Sequence, residues 1–191
     1  MELVILEGPV VDLPRYGRLP ISFTVDRILE VTPIDNGLGG LILSEAAVDA
    51  PFLKDYDAIE GNAPRFWPDR FDLMNWGMIT ALVHDDLVGG AVLAFASDGV
   101  DMLENRTDLT VLWDLRVHPD YRRHGVGRAL FHAATVWARA RRCRQIKIET
   151  QNINVAACRF YANQGCVLGA IHRHAYACFP NEVQLLWYKD L

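Results

Sequence analysis

The stretch from Leu109 to Arg142 constrains this chain most, because a strand signal, a glycine-containing turn and a helix signal follow one another directly. Leu109 to Val117 (LTVLWDLRV) is strongly apolar and partly β-branched, which reads as a central strand. His118-Pro119-Asp120 turns the chain. From Gly125 to about Arg142, apolar residues at 126, 129, 130, 133, 134 and 137 fall on one face of a helix with the 3.6-residue period. A helix that begins at a strand end offers unpaired backbone N–H groups and the positive end of its dipole, so it attracts negative charge. Gly125 and Gly127 let a phosphate approach that backbone without a Cβ in the way, and Arg122, Arg123 and Arg128 add charge and forked donors. A diphosphate suits this arrangement. A dinucleotide fingerprint is excluded because Leu130 stands where its third glycine would be, and a P-loop because no Gly-Lys-Ser/Thr follows.

Composition sets the scale around that segment. With 191 residues, 51% of them apolar, the chain can close a real core as one domain. Its longest apolar run, Gly89 to Ala96, falls far short of the roughly 20 residues a membrane helix needs. The start, Met1-Glu2-Leu3-Val4, has neither a basic region nor a long apolar one, so no secretory signal is visible. Cys143, Cys158, Cys166 and Cys178 form no CxxC pair or zinc-ligand spacing and read as reduced thiols in a cytoplasmic protein. The net charge of −5 is unevenly spread: residues 1–115 hold 20 acidic and 7 basic side chains, whereas residues 116–159 hold 2 and 10. Acidic and basic regions side by side point to one cationic and one anionic ligand. The basic stretch is too short, and the rest of the chain too acidic, for nucleic acid.

The remaining pattern is coarser. Residues 1–20, with Pro9, Pro14 and Pro20, read as an irregular or edge-forming arm, and Ile21 to Val31 as a first strand. Thr32 to Trp76 is broken by prolines and glycines, and short helices are expected at Ser44–Ala50 and Asp69–Asn75. Gly77 to His84 and Leu87 to Ala96 read as a hairpin turning at Asp85-Asp86, with Ser97 to Asp108 as a loop. Gln145 to Thr150 is a short strand, Asn154 can cap a second helix running to Asn163, and Gly165 supplies its stop. Cys166 to Ala175 and Val183 to Leu191 complete the strands. An order of βαβαββ after a hairpin gives a mixed α/β sheet in a single domain over residues 1–191.

Arg122-x-x-Gly125-x-Gly127, after a strand and a short proline-containing turn, resembles the acyl-CoA motif of the GNAT superfamily of N-acetyltransferases. Downstream, Glu149-Thr150 leads to Asn154, Ala157, Phe160, Tyr161 and Gly165 at the spacing of the second GNAT signature, with Cys166 where phenylalanine is usual. The run from Glu149 to Cys158 and the terminal VQLLWYK are similar to the streptothricin acetyltransferase branch. The resemblance spans roughly residues 77–191, with residues 109–165 as the acyl-CoA-binding core and residues 32–76 on the acceptor side. It implies a mixed, mostly antiparallel sheet with splayed parallel central strands and flanking helices, and acetyl-CoA as co-substrate with no metal. It further implies that Leu115, Arg116 and Val117 lie along the pantetheine arm, through the strand's backbone, and that Arg122, Arg123, His124, Gly125, Val126, Gly127 and Arg128 wrap the pyrophosphate. Asn154 would bond the pantetheine beside Ala157, and Tyr161 would lie near the sulfur.

Chemistry narrows the roles. Attack on a thioester needs a neutral amine, yet alkylamines carry pKa values around 10, so a base must take a proton and the departing thiolate benefits from a donor. Tyr161 fits the acid by family match. Glu149, 12 residues before it, fits the base by a spacing similar to that of the ribosomal-protein alanine acetyltransferases. Trp113 stands where many relatives carry a glutamate, and Asp114, on the other strand face, reads as structural. His172 and His174 would share a strand face but lack a third metal ligand. For the acceptor, Asp55, Asp57, Asp72, Trp67 and Trp76 mix carboxylates with aromatics that could hold a cationic amine. A small streptothricin-, aminoglycoside- or polyamine-like amine is therefore the expected substrate, with no nucleic acid or membrane partner and a homodimer left open. Acetylation of a protein N-terminus or lysine, and non-catalytic acyl-CoA sensing, are the alternatives.

Overall fold

Strands β1 (Val4–Pro9), β4 (Gly77–Val83), β5 (Asp86–Ala94), β6 (Leu109–Val117) and β7 (Gln145–Gln151) lie in that order in a sheet. The computed structural model describes residues 2–191, which divide into two compact units. The first holds the chain up to Ser22, Asp55–Ile148 and Lys189–Leu191; the second holds Phe23–Lys54 and Glu149–Tyr188.

In the first unit, β4 and β5 form the expected hairpin, closed at His84 and Asp85 with φ of 49° and 68°, as a two-residue primed turn requires. The proline-rich arm supplies an edge strand, β1, which pairs antiparallel with β4. Strand β6 pairs antiparallel with β5 and parallel with β7, and the parallel register runs from Leu109↔Gln145 to Leu112↔Ile148. Helix α3 (Val126–Ala140) makes the β6–β7 crossover and buries Val126, Leu130, Ala134 and Trp137 of its periodic face; Ala129 and Ala133 are only half-buried, and the buried stripe extends instead to Phe131 and Ala138. Trp137 lies so close to Gly77 that a Cβ there would sit 2.3 Å from the indole, so only glycine fits. Short helices α1 (Leu13–Tyr16) and α2 (Trp67–Arg70) bring Leu13, Tyr16 and Trp67 into a core cluster with Trp76, Met78 and Val92.

The second unit corrects two expectations. Ser44–Ala50 is not helical: it lies within β3 (Leu41–Lys54), which pairs antiparallel with β2 (Phe23–Pro33) from Phe23↔Lys54 to Pro33↔Leu41. The helix-favouring Glu45-Ala46-Ala47 is overridden by that ladder, where Leu29 faces Glu45 and Ile28 faces Ala46. The other expected helix, Asp69–Asn75, belongs to the first unit, where it is shorter and earlier, as α2. Helix α4 (Val155–Asn163) follows the end of β7, and β8 (Val167–His172) pairs antiparallel with β9 (Gln184–Asp190). His172 ends β8 and His174 lies in the turn after it, so the two do not share a strand face. Glu45 pairs with both Arg27 and Arg159, joining the ribbon to α4. Asn152 fastens the same unit: its Nδ2 donates to Leu29 O at 3.0 Å and its Oδ1 accepts from Val183 N at 2.8 Å. Among the described residues no helix is long and apolar enough to cross a membrane.

Candidate active site

The first unit contributes the end of β6 and the start of α3. Within that unit, β6 beyond Leu112 pairs on one side only, through Asp114↔Val92, Leu115↔Ala91, Arg116↔Gly90 and Val117↔Gly89. The register shifts between Val92 and Leu93, which makes Trp113 the extra residue of a bulge. After the strand, the Arg122 guanidinium donates to Val117 O at 3.1 Å and Ser22 O at 3.3 Å, bracing the turn on its own backbone. His124 Nδ1 bonds Arg122 O at 2.9 Å. Gly125 is the N-cap of α3 with φ of 85°, and a Cβ there would meet nothing within 4 Å. Its backbone conformation, not crowding, calls for glycine. Having no side chain, Gly125 leaves the first-turn N–H groups of Val126, Gly127 and Arg128 for an external anion. Arg123, His124 and Arg128 are exposed around them, and Val126 is buried as the anchor of the turn.

Two residues expected at different ligands meet each other instead. Arg116, 2% exposed, grips Asp57 at 2.6 and 2.9 Å and Asp114 at 2.8 and 2.9 Å, and donates to Leu19 O at 3.2 Å. Tyr16 donates to Asp114 Oδ1 at 2.6 Å. Burial, then the Asp114 charge, pushes the Tyr16 phenol well above its ordinary range. Burial opposes the Arg116 charge, but the Asp114 and Asp57 carboxylates outweigh it and hold the guanidinium protonated above its ordinary value.

The other acceptor-side residues are placed as follows. Asp55 Oδ1 accepts from Asp57 N at 3.0 Å, and exposed Asp72 accepts from Met74 N at 2.9 Å. Trp67 and Trp76 are each 3% exposed and their faces are engaged with other rings: Trp113 lies 6.5 Å from Trp67 and 5.3 Å from Trp76 between centroids. Carboxylates and indoles thus do not face one another across a common opening: the indoles are core, and Asp72 lines an open depression with Arg65, Phe71 and Asp12.

The second unit carries Glu149 at the end of β7 and Tyr161 on α4. Glu149 is half-buried and ringed by neutral donors: Tyr176 Oη at 2.6 Å and Gln151 Nε2 at 3.1 Å on Oε1, and Gln184 Nε2 at 2.7 Å on Oε2. Among the described residues it makes no ion pair. Asn154 caps α4 as expected, its Oδ1 accepting from Ala157 N at 3.1 Å, which leaves its Nδ2 to donate elsewhere. Tyr161 is 7% exposed and packs its ring against Phe160. Behind them Thr150 Oγ1 accepts from Trp187 Nε1 at 2.8 Å and lies 3.3 Å from the Cys158 thiol, which burial pushes up. Cys143, Cys158 and Cys166 are buried and Cys178 is exposed.

Sequence reading missed Tyr176, Gln151 and Gln184. Tyr176 lies 27 and Gln184 35 residues from Glu149, so only the return of the last hairpin reveals them. Gln151 carried a local signal, since residues two apart on a strand share a face.

Comparison with known proteins agrees with this architecture. The chain matches the acetyltransferase (GNAT) family model over residues 47–166. It is 37% identical over 91 residues to streptothricin acetyltransferase A of Bacillus subtilis (strain 168), spanning 47% of this chain and about half, 53%, of that protein. It is 29% identical over 169 residues to a streptothricin acetyltransferase of Escherichia coli, 87% of this chain and 84% of that one. The crystal structure of nourseothricin acetyltransferase superposes with a TM-score of 0.74 at 26% identity, over 98% of each chain. A Bacillus anthracis str. Ames structure, assigned as a streptothricin acetyltransferase and solved in complex with acetyl coenzyme A, gives 0.76 at 27% identity over 100% of each chain. The bulged strand, the glycine-capped helix and the Asn154-capped helix are thus those of a GNAT domain, and the chain belongs to the GNAT family of acetyltransferases.

Proposed function

We propose that this acetyl-CoA-dependent N-acetyltransferase moves the acetyl group to a primary amine of a small cationic molecule of the streptothricin kind, by direct attack in a ternary complex. The observation that carries the proposal is Glu149, a half-buried carboxylate held only by neutral donors among the described residues. Such a group has no cation of its own to displace when an ammonium arrives, and its donors hold it in a position from which to accept a proton. Likeness to streptothricin acetyltransferases over most of the chain supports the substrate class.

Each half of the chemistry has residues suited to it. The N–H groups behind Gly125, with Arg123, His124 and Arg128 around them, suit the pyrophosphate, and the open side of β6 at Leu115 and Val117 suits the pantetheine amides. Asn154 Nδ2 is a further donor to the pantetheine. In the transfer, Glu149 takes one proton from the ammonium and releases it to solvent, the freed amine nitrogen attacks the thioester carbonyl carbon, and the tetrahedral intermediate loses its second N–H proton to Glu149 as the C–S bond breaks. The leaving sulfur takes a proton from the Tyr161 hydroxyl, which bulk solvent restores. Asp55 and Asp72 would act on the acceptor through their negative field, whereas the charge of Asp57 is met by Arg116.

The test is a panel assay in which the purified protein receives acetyl-CoA with streptothricin, aminoglycosides, polyamines or peptides, and free thiol release is followed. Streptothricin is expected to give the highest kcat/KM. A peptide turned over faster than every small amine would overturn the substrate class and favour a protein acceptor.

A further inference from the structure

The donors around Glu149 are unevenly shared between its two oxygens. A carboxylate oxygen has two lone pairs. Among the described residues, Oε1 receives both Tyr176 Oη, at 2.6 Å, and Gln151 Nε2, at 3.1 Å, whereas Oε2 receives only Gln184 Nε2, at 2.7 Å. Oε1 is therefore filled, and one lone pair on Oε2 remains for an incoming proton. Gln151 also fixes the direction of the phenol hydrogen: its Nε2 donates to Tyr176 Oη at 2.8 Å, so the phenol proton must point toward Glu149. A carboxylate only accepts, so the NH₂ end of Gln184 must face it.

We infer that Tyr176 is the positioning residue that makes Oε2 of Glu149 the proton-accepting atom. The inference rests on the reading of Glu149 as the base and goes beyond it by naming the oxygen and the group that selects it. Tyr176 sits in the segment between β8 and β9, and that segment is fastened from the phenol's turn to the start of β9. Phe179 N donates to Tyr176 O at 3.2 Å and Glu182 N to Phe179 O at 2.9 Å, while Glu182 accepts from Lys54 Nζ at 2.5 Å with the ammonium 3.8 Å over the Phe179 ring. Val183 N then bonds Asn152 Oδ1 at 2.8 Å. Without the phenol hydroxyl, Oε1 takes a water instead, the carboxylate rotates more freely, and the open lone pair loses its fixed direction. A misplacement of about 1 Å at a reacting group can cost on the order of a hundredfold in rate.

The experiment is a double-mutant cycle of Tyr176→Phe and Glu149→Gln with streptothricin as acceptor. Tyr176→Phe is expected to lower kcat roughly 10- to 100-fold, with KM for acetyl-CoA and the thermal midpoint unchanged. In the Glu149→Gln background the same change is expected to add less than about twofold, because partners that act as a unit are non-additive. A Glu149→Gln variant at the parent rate would overturn the base assignment itself. A slow Glu149→Gln variant beside a Tyr176→Phe variant at the parent rate, or one whose loss multiplies in the cycle, would overturn the positioning role alone. Should Tyr176→Phe not fold, Gln151→Met removes the amide that orients the phenol. It is expected to lower kcat several-fold with KM for acetyl-CoA unchanged, and an unaltered kcat there would overturn the inference.

Discussion

Asp114 on β6 and Glu149 on β7 are both carboxylates near the ends of strands that pair in parallel, and their surroundings differ in kind. Asp114 shares a buried guanidinium with Asp57 and takes the Tyr16 hydroxyl, so its charge is answered on the spot. Among the described residues Glu149 has hydroxyl and amide donors only, which orient it without giving it an ion pair. Removing a member of the first set strands a buried charge. Removing a member of the second is expected to shift the carboxylate proposed as the base. The comparison therefore separates a carboxylate that holds the fold from one suited to accept a proton, although nothing in the residue types distinguishes them.

The sharpest way to break that distinction is at Arg116. Arg116→Ala leaves Asp114 and Asp57 without their cation and is expected to cost about 3–5 kcal/mol of folding stability, read as a large fall in the denaturant midpoint. A variant as stable as the parent would mean the first network is not structural. Next comes Glu149→Gln, expected to lower kcat about a hundredfold while leaving the thermal midpoint in place. A change in stability with no change in rate would make Glu149 a second Asp114. Tyr16→Phe is the mildest, expected to cost about 1.5 kcal/mol with kcat untouched. Its pH dependence has a definite sign. Because burial raises the folded-state phenol above its ordinary value near 10, its contribution is complete below about pH 10 and is lost as pH climbs beyond that. The Phe variant should show a flatter alkaline decline in stability than the parent.

Local signals carried much of the fold and part of the site. Strand β6 has the bounds its apolar run implied, α3 buries most of the periodic face, and Asn154 caps α4 through a side-chain bond to Ala157. Each of these depends on residues within a turn or a strand. The ribbon was illegible because Ser44–Ala50 carries helix-forming residues, and only pairing across to β2 makes them a strand. The two polar networks were hidden for a related reason: Asp57 and Arg116 are 59 residues apart, Tyr16 and Asp114 98. Trp67 and Trp76 looked like ligand-facing aromatics because composition does not say which face of a ring is covered.

The exposed Cys178 lies two residues from Tyr176, while the other three thiols are buried and burial holds those of Cys143 and Cys158 in their less reactive, protonated form. The chain therefore carries a natural attachment point on the segment between β8 and β9, a strap that also holds the phenol proposed to orient Glu149. A disulfide reagent used to count released coenzyme would also react with that thiol. It would add a burst of one equivalent and load bulk next to the phenol. The same chemistry, applied deliberately with a fluorophore, would turn Cys178 into an optical reporter of whether the strap shifts when an amine arrives.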